Sequence, residues 1–212
     1  MAEGRGTLPV VLVVASLLSW AGCAEETPEV AGTWLWAQEV ENGSVVRTIT
    51  DADMVPEVGS SGWPGCPDGI ICTHYGIQKL DFGADGAVHF INNVTTSSDF
   101  HKKGSYAVSG DLINFTFTEN FSCAHPDQRD TERRLGAMRW KIQDGNLWLS
   151  VTGFGSSYPF FDAPPENPTR WVVFRPISFE DWDNRYMIRL CQAATPDGCH
   201  PDCFPERFGG AF

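Results

Sequence analysis

Apolar residues recur at every second position through most of this chain. That period of two, broken by tight-turn dipeptides, confines it to a fold made of β-strands. The clearest stretch is Leu112–Glu119, where Ile113, Phe115 and Phe117 alternate with Asn114, Thr116 and Thr118. Met138, Trp140 and Ile142 alternate with Arg139 and Lys141, and Leu147, Leu149 and Val151 with Trp148, Ser150 and Thr152. Between these two strands sits Asp144-Gly145-Asn146, and similar turns stand at Asp85-Gly86 and Gly110-Asp111. Gly, Asn and Asp tolerate the positive φ that tight hairpins require, so three hairpins are expected.

Six further strands are predicted at 33–40, 45–50, 75–82, 87–92, 104–108 and 170–175. Short turns join most of them, which describes an antiparallel meander. A meander this long has to curl and hide its edges, and an up-and-down barrel does so with a single sheet. The fold class predicted is therefore all-β: one barrel of about eight strands, one C-terminal helix and a disulfide-rich tail. Residues 51–74 are rich in Gly and Pro, and 153–169 carry Pro159, Pro164, Pro165 and Pro168, so both segments are expected as loops at the barrel mouths. Ser178 can cap a helix with Asp181 three residues on, placing Phe179, Trp182, Tyr186 and Leu190 on one face.

The N-terminus carries an address. Leu8–Trp20 is almost uncharged and follows Arg5, and its thirteen residues fall short of the roughly twenty that a spanning helix needs. Trp20-Ala21-Gly22-Cys23 resembles the bacterial lipobox, whose cysteine is acylated and becomes the first mature residue; Trp20 departs from the Leu, Val or Ile usual there. The resemblance implies a lipid anchor at Cys23 and hence a membrane partner. Ala24 is not the Asp that holds such proteins at the inner membrane, which points to the outer membrane. The rival is cleavage after Ala24, which discards Cys23 and secretes the chain. The domain reading is a signal over 1–22, a tether over 23–31, a barrel over 32–176, and a helix with a Cys-rich tail over 177–212.

Without Cys23, the remaining cysteines are Cys66, Cys72, Cys123, Cys191, Cys199 and Cys203, an even set that suits disulfides in an oxidising compartment. Cys66 with Cys72 is the expected local pair, and the other four are expected to tie the tail to the body through Cys123. A zinc site from Cys191, Cys199, His200 and Cys203 is the alternative, but neither cysteine gap has the short knuckle spacing. No metal and no cofactor is assigned.

The chain has 15 Lys and Arg against 27 Asp and Glu, a formal net charge of −12, so it repels phosphate backbones and nucleic acid is no partner. Eight Trp and fourteen Phe supply a large core. Enzyme signatures are missing. Gly153-Phe154-Gly155-Ser156-Ser157 and Gly59-Ser60-Ser61-Gly62 fail the nucleophile-elbow pattern. The histidines His74, His89, His101, His125 and His200 are scattered and are expected on the surface or in loops. Asp51-Ala52-Asp53 and Asp181-Trp182-Asp183-Asn184 lack the later Gly and Glu of a calcium loop. Four N-x-[ST] sequons, at Asn42, Asn93, Asn114 and Asn120, keep a secreted eukaryotic glycoprotein open as an alternative.

Gly32-Thr33-Trp34 resembles the G-x-W opening of the lipocalin-like barrels. Leu80-Asp81-Phe82-Gly83-Ala84-Asp85-Gly86 and Gly104-Ser105-Tyr106-Ala107-Val108-Ser109-Gly110-Asp111 are similar to successive hairpins of bacterial lipocalin-like lipoproteins. The resemblance covers residues 31–176 and implies a barrel closed at the Trp34 end and open at the other onto an apolar cavity. Trp34 and Trp36 share a face, and with Phe115, Phe117 and Trp140 they are the candidate cavity-lining residues. The expected function is a non-enzymatic envelope lipoprotein that binds a small hydrophobic molecule. The alternative is an interaction or scaffold protein whose barrel is filled by its own side chains.

Overall fold

The computed structural model describes residues 29–50, 57–58, 71–95, 99–122, 125–154 and 164–182. Eleven strands form one antiparallel sheet: β1 (Gly32–Glu41), β2 (Ser44–Thr48), β3 (Glu57–Val58), β4 (Ile71–Phe82), β5 (Ala87–Thr95), β6 (Asp99–Ser109), β7 (Leu112–Ser122), β8 (His125–Asp130), β9 (Arg134–Gln143), β10 (Asn146–Ser150) and β11 (Arg170–Pro176), followed by a short helix α1 (Phe179–Trp182). Eight of them close into a ring in chain order: β1, β4, β5, β6, β7, β9, β10 and β11, with β11 returning to β1. The remaining three, β2, β3 and β8, flank β1, β4 and β7 outside the ring.

The nine predicted strands are all present, most of them longer than expected, and β3 and β8 are additions. β8 has no apolar alternation, and β3 is only two residues long, so neither left a periodic trace.

Ring closure depends on the β1–β4 seam, where Gly32, Thr33, Trp34 and Leu35 pair with Phe82, Asp81, Leu80 and Lys79. Inside the ring Trp34 lies opposite Leu80; on the outer face Thr33 Oγ1 donates to Asp81 Oδ1 at 2.8 Å. Unsatisfied edge groups are thereby removed from the closing strands, the physical reason for closing a long meander at all.

One end of the ring carries the tight turns. Asp144 and Gly145 have φ of 54° and 73°, the double positive φ of a hairpin turn whose twist matches its strands. At Gly83–Ala87 the turn is tied across the sheet: Tyr106 donates its hydroxyl to Gly83 O at 2.8 Å, and its amide donates to Gly86 O at 2.8 Å. At the opposite end the chain passes from β10 to β11 and enters β4; of the segments expected there as loops, 51–74 and 153–169, the first holds β3 (Glu57–Val58) and the start of β4 (71–74), a departure from expectation, while residues 164–169 carry no strand.

The tail of the tether differs from expectation. Val30 is fully buried and its carbonyl accepts from Trp34 Nε1 at 2.9 Å, so the folded body begins before residue 32. In α1, Ser178 caps as predicted, with the Asp181 amide donating to Ser178 Oγ at 3.1 Å. Trp182 is buried while Phe179 is 50% exposed, so these two rings do not share one buried face. Tyr186 and Leu190 lie outside the described residues. So do the signal over 1–22 and Cys23, Cys66, Cys123, Cys191, Cys199 and Cys203; the Cys72 backbone lies in β4, opposite Thr95.

Candidate functional site

Cross-strand pairing sorts side chains into an inner and an outer face. Around the turn end the inner face is aromatic. Trp34, Trp36, Phe82, Phe90, Tyr106, Phe115, Phe117 and Phe174 point inward with Leu80, Val88, Ile113, Met138, Leu147, Leu149 and Val172. The rings meet one another: Phe82 and Tyr106 edge to face at 4.8 Å between centroids, Phe82 and Phe115 at 6.1 Å, Phe115 and Phe117 stacked at 5.6 Å. Of the five candidate lining residues, Trp34, Trp36, Phe115 and Phe117 are 7%, 3%, 1% and 2% exposed. Trp140 sits at the rim of the turn end, half-buried, its Nε1 donating to Gly110 O at 3.0 Å.

Two β-bulges change the inner face at the loop end. In β1, Trp36 lies opposite Phe174 but Gln38 lies opposite Val173, so Ala37 is the extra residue and Glu39 swings inward opposite Val172. In β7, Gly104 faces Phe117 while Lys103 faces Glu119, so Thr118 is the extra residue; Glu119 turns out and Asn120 turns in opposite Lys102. Gly104 is required there, because a Cβ would stand 2.0 Å from the Thr116 carbonyl oxygen. Bulges redirect side chains in this way wherever they interrupt a ladder. The result is an inward polar set from five strands: Glu39, Gln78, Lys102, Asn120 and Arg134.

Glu39 is buried and its carboxyl is pushed above the usual carboxylate range by desolvation, partly offset by Arg47, which reaches it at 3.2 Å. Burial and then the Arg134 charge lower the Lys102 ammonium, whose Nζ lies 5.8 Å from the Phe90 ring centre. Arg134 pairs with Asp130 at 2.6 Å. Gln78 Oε1 and Asn120 Oδ1 are buried and accept no hydrogen bond.

A second polar group lies on the outer face, on β4, β5 and β6. Lys79 Nζ meets Asp81 Oδ2 at 2.8 Å and lies 4.6 Å from the Trp182 ring centre, and His89 Nε2 and His101 Nδ1 share a hydrogen bond at 3.0 Å. All four are buried although they face outward, and Trp182 of α1 lies against this sector. Here the expectation that every histidine is a surface or loop residue is corrected. His89 and His101 are buried strand residues, and His101 stacks on Phe121 at 5.3 Å. Their alternation with apolar neighbours looks like a wet face from sequence, since nothing in the spacing announces that the outer face is covered. The His74 and His125 backbones also lie in strands, β4 and β8. Among the sequons, Asn114 is exposed on β7 and Asn42 occupies a turn at φ 50°, whereas Asn120 turns inward.

Among the described residues no three His, Cys, Asp or Glu side chains converge as metal ligands would, and no helix is long and apolar enough to cross a membrane. No protein-family model matches the chain, and no curated protein does. Among solved structures, it has a likeness to an uncharacterized protein from Bacteroides eggerthii DSM 20697, with a TM-score of 0.34 and 13% identity, over 69% of this chain and 98% of that one.

Proposed function

We propose that this chain is an exported, lipid-anchored envelope protein with a filled lipocalin-like barrel, which contacts another envelope component through its loop end and performs no chemistry of its own. The anchor rests on Cys23 behind the apolar run, and the barrel on the eight-strand ring with short turns at one end and long connections at the other. The observation that favours a filled barrel over a cargo cavity is the burial of the inward aromatic rings. A void wide enough for water leaves its walls accessible, yet Trp34, Trp36, Phe115 and Phe117 expose 7% or less and four of the inner rings, Phe82, Tyr106, Phe115 and Phe117, pack in a chain of direct contacts. An apolar pocket able to hold a small molecule needs roughly 300 Å³ or more of open space.

The rival carrier reading makes the opposite claim about that space. Titrating the purified protein with an environment-sensitive apolar dye separates the two. The filled barrel gives no saturable signal, whereas one-to-one binding displaced by a long-chain fatty acid would replace this reading with the carrier. The anchor has its own test: the intact mass of membrane-extracted protein is expected to begin at acylated Cys23, and an unmodified chain beginning at Glu25 would remove it.

A further inference from the structure

The place where the chain leaves the ring limits how the ring can face a membrane. β1 starts at the turn end, since Gly32 pairs with Phe82 just before the turn at Gly83–Ala87. The residues ahead of it are fixed to that end: Val30 is fully buried, and its carbonyl accepts from Trp34 Nε1 at 2.9 Å. Glu29 is exposed, and six peptide steps separate it from Cys23. Whatever path they take, those steps reach at most about 22 Å. The ring is taller. β6 and β7 hold 11 residues each and run between its two ends, which at about 3.3 Å per residue and a tilt of about 40° is roughly 28 Å along the axis. With the loop end turned toward a membrane that holds Cys23, Glu29 would stand at the far side of the ring, beyond the limit of its own tether.

Charge decides among the poses that remain. The formal net charge of −12 pushes the body away from anionic headgroups. The turn end has the same sign: Asp85, Asp111 and Asp144 are exposed in its hairpin turns, and Glu180 and Asp181 on α1, which follows the last strand there. Asp111 is paired with Arg139. A body that the surface repels, held close by one end, stands with that end nearest instead of lying along its wall. We infer that the membrane carrying Cys23 faces the turn end of the ring without adhering to it, and that the loop end is presented away from the bilayer, to a partner that stands clear of the lipid. This orientation rests on the anchor at Cys23, and it narrows the partner of the loop end, because the headgroups of the anchoring leaflet are out of its reach.

Paramagnetic relaxation of backbone amides tests it, on the membrane-extracted mature chain placed in nanodiscs of phosphatidylethanolamine and phosphatidylglycerol that carry a gadolinium-chelating headgroup. The effect falls steeply with distance from the headgroups. Amides of Asp85, Gly86, Asp111, Asp144 and Gly145 at the turn end should relax several-fold faster than those of Asn42, Gly43 and Thr169 at the loop end. A second protein, with a Gly-Ser spacer of about forty residues between Ala24 and Glu25, gives the ring a leash of roughly 35 Å on average and should lose that contrast while melting as the parent does. Loop-end amides relaxing faster, or both ends alike, in protein whose intact mass shows acylated Cys23 would overturn the orientation and leave the anchor standing. A mass beginning at Glu25 would remove both together. A contrast that survived the spacer would mean that the turn end adheres to lipid by itself, and would overturn the tether as its cause.

Discussion

His89 is held neutral by its surroundings. Burial first, then the charges of His101, Lys79 and Lys103, place its pKa well below the ordinary value of 6.5. The unfolded chain therefore takes up a proton near pH 6.5 that the folded chain refuses, so stability is complete above that pH and falls as pH drops below it, by at most about 1.4 kcal/mol per pH unit. Chemical denaturation at pH 7.5 and pH 6 should show this loss, and His89→Gln should reduce it; an unchanged slope would mean that another group controls it. Glu39, whose carboxyl pKa is raised by burial, acts with the opposite sign, its folded form holding a proton that the unfolded chain releases, so Glu39→Gln is the control that isolates the histidine slope. The Lys79–Asp81 pair yields a second prediction at this scale. Asp81→Asn removes the carboxylate facing a buried ammonium and should cost about 3–5 kcal/mol, while Lys79→Met with Asp81→Leu should cost less than the two single changes summed. Strict additivity in that cycle would deny the coupling.

At the scale of elements, the strands were legible because their apolar residues repeat every second position, and the turns because Asp-Gly dipeptides need positive φ at Gly86 and Gly145. The polar end of the interior was not legible, and the reason is local. Counting by twos from Trp36 puts Gln38 inward and Glu39 outward, and from Phe117 it puts Glu119 inward and Asn120 outward; the bulges at Ala37 and Thr118 reverse both. A single extra residue leaves no trace in composition, and the strand beginning predicted at Gly104 left Lys102 out altogether. Pattern likewise misjudged the outer face, where His89 and His101 are buried in a sector against which Trp182 packs. Two substitutions check these elements. Ser178→Ala should cost about 1 kcal/mol through the lost cap, and Gly104→Ala should cost more than that, since its Cβ meets the Thr116 carbonyl. A Gly104→Ala variant as stable as the parent would place the bulge elsewhere.

For the whole molecule, the inner and outer faces, the aromatic base and the polar mouth all presuppose that β1 and β4 join. Without that seam the meander is an open sheet, and Trp34, Phe82 and Phe115 have no enclosed side to fill. The seam joins Thr33 to Asp81 across 48 positions of chain. The most direct measurement is the set of interstrand nuclear Overhauser contacts between β1 and β4 in solution. Closure predicts backbone proton contacts for Thr33 with Asp81 and Leu35 with Lys79, in amides that exchange slowly with solvent. Fast-exchanging amides on both strands, with no contact between them, would contradict it.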